Sequence, residues 1–176
     1  IGQIGVNGAN YKAMEFTGTT IPTLNMADRF TMANMAIEAG GKNGIFHVDS
    51  VTEAYIRQTA NRSGLSYRVF QSDPNAEYLE TFNYETPSIE LQVALPHLPE
   101  NTKPVSEVGD IHIDQAVIGG CTTGRIEDLE IAARILRNRK IHPGVRCIII
   151  PGTPEVYLEA VKRGYVAIFI QSGAVV

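Results

Sequence analysis

Two cysteines stand in surroundings that suit different chemistry. Cys121 lies in Gly119-Gly120-Cys121-Thr122-Thr123-Gly124-Arg125, between a predicted strand and a predicted helix. Crevices of α/β sheets open at the carboxyl ends of strands. A thiol there also meets the free amides and positive end of the following helix, which favour the thiolate. A thiolate is what a soft metal or an iron–sulfur cluster requires. One cysteine makes no metal site alone, so a small buried thiol in a glycine-rich turn remains the competing reading. Cys147, inside Val145-Arg146-Cys147-Ile148, reads as core, because free cysteine is among the most buried residue types. Asn34 and Glu38 form a second candidate pair, four residues apart and thus on one face of a helix. Surface polarity at Asn34 and a solvated last-turn acid at Glu38 are the alternatives. Arg125 could hold a carboxylate bidentately or form a salt bridge at the helix start. Asp128 suits the helix dipole. His97, between prolines, reads as mostly structural, and His47, His112 and His142 show no metal-ligand spacing.

These residues need elements to hold them. Residues 25–39 carry Met26, Phe30, Met32, Ala33, Met35, Ala36 and Ile37, which predict a mostly buried helix ended by Gly40-Gly41. A short strand follows at 43–48, then a helix at 51–62, capped by Asp49-Ser50 and closed by Gly64. Pro87, Pro96, Pro99 and Pro104 mark residues 83–110 as a crossing segment, since each removes an amide donor and extends the residue before it. Beyond it the spacing predicts a strand at 111–118 and a helix at 126–137. A buried strand at 145–150, a helix from Pro154 to about Arg163 stopped by Gly164, and a third strand at 166–170 complete the pattern. The expected class is α/β with mainly parallel sheets. The expected division is a first lobe at 1–82, the crossing segment at 83–110, and a second lobe at 111–176 carrying the cysteine turn.

Composition narrows the function. A formal net charge of −4 offers no overall electrostatic footprint for a phosphate backbone, so nucleic acid is not expected as a partner. No apolar run approaches the roughly 20 residues that span a bilayer, and two cysteines make no disulfide framework. A cytoplasmic protein with reduced thiols is expected. Ile1 stands where an initiator methionine would, so the expectation is a processed chain or a portion of a longer one.

Several separated motifs, in order, resemble the aconitase family. Ile118-Gly119-Gly120-Cys121-Thr122-Thr123-Gly124-Arg125-Ile126-Glu127-Asp128-Leu129 is similar to its first cluster-cysteine motif. The Gly-Arg that follows the motif is the form found in the large subunits of 3-isopropylmalate dehydratases and homoaconitases. Asn7 to Gly18 resembles the family's lead-in, and Asn34 to Gly41 its active-site helix. Val93 to His97 and Pro104 to Val108 match its crossing segment, while Glu155 to Tyr157 and Ser172 to Val176 match the approach to a second cysteine motif.

The resemblance implies a hydro-lyase that isomerises isopropylmalate, as in leucine biosynthesis, by dehydration and rehydration. A homoaconitase-type large subunit, serving lysine or coenzyme biosynthesis, is the near alternative, and a truncated binding module the distant one. In the family three cysteines hold a 4Fe–4S cluster whose fourth iron polarises the substrate's hydroxyl and carboxylate. By resemblance Cys121 is the first ligand, and Asn34 and Glu38 face the cluster and its bound water. The substrate would be a hydroxy di- or tricarboxylate. The implied partner is a small subunit carrying a swivelling domain with the catalytic serine.

Three departures stand out. Thr123 replaces the usual Asn of Cys-Thr-Asn, and His47 stands where relatives often carry proline. The chain also stops at Val176, ahead of the family's Cys-x-x-Cys pair, so one expected ligand of three lies within it.

Overall fold

The computed structural model of the chain describes residues 1–59, 66–120 and 122–176. They divide into two compact units, Ile1–Gly109 and Asp110–Val176. The proline-rich residues 83–109 belong to the first.

The first unit is built on a parallel strand pair, β1 (Ala13–Phe16) and β2 (Asn43–Phe46), joined through helix α1 (Met26–Met35). Asn25 starts α1 with a reciprocal cap: its side-chain oxygen accepts from the Asp28 amide at 2.9 Å, and the Asp28 carboxylate accepts from the Asn25 amide at 3.2 Å. After Met35 the helix tightens into one 3₁₀ turn, Ala36–Ala39. It ends at Gly40, whose φ of 80° is the left-handed value glycine supplies without a Cβ penalty. Gly44 lets α1 lie directly on β2, because a Cβ there would come within 2.5 Å of the Ala33 Cα. Phe16 and Phe46, register partners at the ends of the two strands, stack with centroids 4.9 Å apart.

The predicted mostly buried helix is covered along one strip only. Ala36 and Ala39 are buried, whereas Met35 is exposed and Ile37 is 68% exposed. A two-stranded sheet is narrower than the apolar face of α1, so part of that face stays open in this unit. Helix α2 (Ser50–Thr59) follows, started by Asp49, whose Oδ1 accepts from the Val51 and Thr52 amides at 3.1 Å each. The predicted end of this helix at Arg62 and its stop at Gly64 lie outside the described residues. Residues 66–91 run without regular structure apart from a single 3₁₀ turn, Thr86–Ser88. A short antiparallel pair, β3 (Gln92–Ala94) and β4 (Thr102–Pro104), ends the proline-rich stretch.

Arg29 is the deepest anchor of this unit, 1% exposed. Its Nη1 and Nη2 donate to the two carboxylate oxygens of Asp49 at 2.8 and 2.7 Å. Its Nη2 also donates to the Ile21 carbonyl, its Nε to the Leu24 carbonyl and its Nη1 to the Thr52 hydroxyl. One guanidinium thus ties α1, the turn before it and the start of α2 together, using the fork that lysine lacks.

The second unit is a parallel pair, β5 (Gln115–Gly119) and β6 (Arg146–Ile150), connected by α3 (Ile126–Leu136). Helices α4 (Pro154–Lys162) and α5 (Tyr165–Ser172) follow. Leu129, Ala133, Cys147, Ile149, Ala160 and Phe169 form its core. Burying Phe169 alone contributes about 2–3 kcal/mol.

Two expectations change here. The strand predicted at 111–118 begins only at Gln115, because its partner β6 begins at Arg146, after the His142-Pro143-Gly144 turn, and its bonding reaches back no further than the Arg146 amide, which donates to the Asp114 carbonyl at 2.9 Å. The third strand predicted at 166–170 is instead helix α5. Its inward residues, Tyr165, Phe169 and Ser172, recur at helical spacing, and packing of Phe169 into the core overrides the β propensity of Val166, Ile168 and Ile170. The third strand position lies further on, where Val175 bridges Ile148 in parallel.

Candidate functional site

The cysteine turn joins the carboxyl end of β5 to the amino end of α3. Gly119, Gly120 and Gly124 all have positive φ, at 103°, 110° and 92°. The Gly120 amide donates to the Ile150 carbonyl at 3.3 Å and the Gly152 amide to the Gly124 carbonyl at 2.8 Å, seating the turn against the one that follows β6. Cys121 itself lies outside the described residues. Asp128 does more than complement the helix dipole: its Oδ2 accepts from the Gly124 and Arg125 amides at 3.0 and 2.9 Å, fixing the turn to the first turn of α3. Arg125 stands at the N-cap, half-buried and with a buried Nε.

The glycines can be ranked. A Cβ at Gly119 would lie 2.0 Å from the Ile150 carbonyl oxygen, one at Gly124 would lie 2.6 Å from the same atom, and one at Gly120 would meet nothing within 4 Å among the described residues. Gly119→Ala is therefore expected to lower the thermal midpoint most, Gly124→Ala next and Gly120→Ala least. The first should cost more than about 2 kcal/mol, combining backbone strain with a clash, as read from thermal unfolding of the three variants.

Cys147 is buried in β6, and burial pushes its thiol up from its ordinary value, so it stays protonated and is core as the sequence predicts. Among the described residues no group of three His, Cys, Asp or Glu side chains could hold a metal ion.

Asn34 and Glu38 lie in the first unit, and both are exposed. Asn34, in the last turn of α1, helps line an open cleft of about 340 Å³ with Ala33, Ile37, Lys42 and Asn43. Glu38 is not among the residues lining it. An α-helix turns about 100° per residue, which would keep positions 34 and 38 on one face. Over the 3₁₀ turn rotation rises to about 120°, which carries Glu38 round from Asn34. His97 is exposed.

The sequence reading missed a carboxylate cluster in the first unit. Glu15 on β1, with a side chain 13% exposed, accepts from the His47 ring, from the Ser72 hydroxyl at 2.8 Å and from the Tyr78 hydroxyl at 2.8 Å. Burial pushes its carboxyl up, but the bonds from Tyr78, Ser72 and His47 together outweigh that and hold it below its ordinary value. Its partners sit 32, 57 and 63 residues away, so no local spacing could announce the cluster. His47, whose spacing suggested no ligand role, is one of those partners.

Helices with mainly parallel strand pairs are consistent with an aconitase-like α/β fold, and the whole-chain comparison agrees. The profile of the aconitase family (aconitate hydratase) matches residues 1–110 and 103–176, and the chain belongs to this family. Among similar proteins are the 3-isopropylmalate dehydratase large subunits of Moorella thermoacetica, Caldanaerobacter subterraneus subsp. tengcongensis and Thermoanaerobacter pseudethanolicus. Each is 58% identical over all 176 residues. The chain spans 41% of the length of each of these relatives. No helix among the described residues is long and apolar enough to cross a membrane.

Proposed function

We propose that this chain forms part of the large subunit of a hydro-lyase that isomerises isopropylmalate, removing water from the hydroxy acid and returning it at the neighbouring carbon. The observation that carries this reading is 58% identity across the entire chain to proteins of that name. A large subunit so named implies a small subunit as partner, which by resemblance carries the catalytic serine.

Cys121 would supply one of three thiolates to a 4Fe–4S cluster. When bound, such a cluster supplies a Lewis-acidic iron for the substrate's hydroxyl and carboxylate. The positive end of α3 favours the thiolate form of a cysteine in this turn, and the Asp128 cap holds the turn in place. Arg125 would pair with a substrate carboxylate. By resemblance Asn34 and Glu38 would serve the bound water, each from its own direction after the 3₁₀ turn, with the Glu38 carboxyl holding or releasing a proton there.

The test uses the whole large subunit with its small subunit, prepared without oxygen. Glu38→Gln is expected to lower kcat for isopropylmalate about 100-fold while bound iron stays at the wild-type level. An unchanged kcat would remove Glu38 from the chemistry, and no turnover by the wild type with iron fully loaded would remove the reading itself.

A further inference from the structure

The two oxygens of Glu15 hold different parts of the first unit. Oε1 accepts from the ring of His47, the residue directly after β2, and Oε2 accepts from the Ser72 and Tyr78 hydroxyls at 2.8 Å each. Glu15 stands one residue before the end of β1, so the cluster sits at the carboxyl end of both strands. Although burial opposes it, the Glu15 carboxyl lies below its ordinary value, so at neutral pH it is ionised and accepts from all three donors. Hydrogen bonds to an ionised acceptor are the stronger kind.

Little else fastens residues 66–84. Among the described residues their one backbone hydrogen bond, from the Ala76 amide to the Asp73 carbonyl at 2.9 Å, stays inside the segment. Their one ion pair, Glu80 with Lys12, is long at 3.9 Å, and both of its side chains meet water. Thr86 reaches Thr20 only beyond the end of the segment. Ser72 and Tyr78 are exposed, whereas the carboxylate they share is mostly buried. A segment with no ladder to a neighbour can leave without breaking the β1–β2 pairing, and local openings of this kind need far less free energy than global unfolding.

We infer that residues 66–84 form a strap that opens and closes as a unit at the carboxyl ends of β1 and β2, and that the Glu15 carboxylate sets how much of the time it is closed. The strands and α1 stay folded as it opens.

The test is limited chymotrypsin digestion of the full-length protein at neutral pH, with cleavage after Phe70 and after Leu79 followed by mass spectrometry. Such cleavage tracks the population of the open form when opening and closing are fast relative to cutting. Glu15→Ala leaves the strap's own sequence untouched and should speed both cuts about tenfold or more, because two charge-assisted bonds are lost at once. Lys12→Ala, which removes the long ion pair, should change them less than about twofold. Cleavage after Phe169, buried in the core of the second unit, reports global unfolding and should stay at the wild-type rate in both. Ser72→Ala combined with Tyr78→Phe alters only exposed positions, so it carries the test if Glu15→Ala fails to fold. That pair should speed cleavage as far as Glu15→Ala does, and adding Glu15→Ala to it should change the rate less than about twofold further. Unchanged cleavage after Phe70 and Leu79 in Glu15→Ala, or in the Ser72 and Tyr78 pair, would overturn the inference. Effects that multiply in the triple variant would overturn it too. So would a rise after Phe169 equal to the rise in the strap, because the segment would then not open on its own.

Discussion

Replacing Cys121 by alanine in the whole protein is expected to lower turnover on the order of 10³-fold and to remove iron and acid-labile sulfide together. A Lewis-acidic metal contributes several kcal/mol to stabilising charge in such a transition state, and each 1.36 kcal/mol is about tenfold in rate. Serine at the same position should do little better, because a neutral hydroxyl is a poor ligand for the soft iron–sulfur core. Cys147→Ala separates the two thiols. It should leave iron and sulfide at wild-type content while lowering stability, since this side chain is buried in β6 and its thiol is kept protonated. Equal loss of iron from both variants would contradict the separate roles given to them.

The second large effect concerns the anchor of α1. Arg29→Met is expected to destabilise the fold by about 2–3 kcal/mol, below what breaking a fully buried pair costs, because Asp49 keeps partial access to water. Asp49 loses a bidentate partner, and the carbonyls of Ile21 and Leu24 lose their donor. Arg29→Lys should recover only part of this, because one ammonium cannot satisfy oxygens spread around a planar fork.

The pair also sets a pH dependence. The hydrogen bonds from Arg29 hold the Asp49 carboxyl well below its ordinary value of 3.8; partial burial opposes them, and bonds from Thr52 add to them. A carboxyl depressed in the folded state contributes stability that is fully present above that ordinary value and is lost as pH falls below it. Urea midpoints measured against pH should therefore fall in acid for the wild type, and less steeply for Asp49→Asn, which starts lower. Parallel curves would show that the pair is energetically silent.

What the sequence revealed and what it hid separate along the line between local and long-range interactions. Helix α1 was legible because its apolar spacing and its glycine stop lie within a few turns of each other, although its cap at Asn25 went unread. The same holds for α3, and for α4 with Thr153 and Pro154 at its start. Helix α5 was misread because Val166-Ala167-Ile168-Phe169-Ile170 is as apolar as a buried strand, and only packing of Phe169 and Ser172 decides its period. The 3₁₀ turn after Met35 was hidden for a related reason. Nothing in Ala36-Ile37-Glu38-Ala39 prescribes it, yet it changes the direction of Glu38.

At the candidate site, the cysteine turn was visible as a glycine pattern between a strand and a helix, and the separate setting of Cys147 was visible as an apolar run. The dual cap from Asp128 was half visible, as an acid in the first helical turn. The Glu15 cluster and the Arg29–Asp49 fork were not, because each depends on groups brought together by folding from twenty or more residues apart.

The most direct test of the central claim compares substrates on the whole large subunit with its small subunit, under anaerobic conditions and with iron and sulfide at full content. Isopropylmalate should be dehydrated and rehydrated with a kcat/KM at least about tenfold above that for homocitrate, a margin that recognition of one substrate side group can supply. No turnover of isopropylmalate by the loaded enzyme, or a preference for homocitrate, would contradict the account.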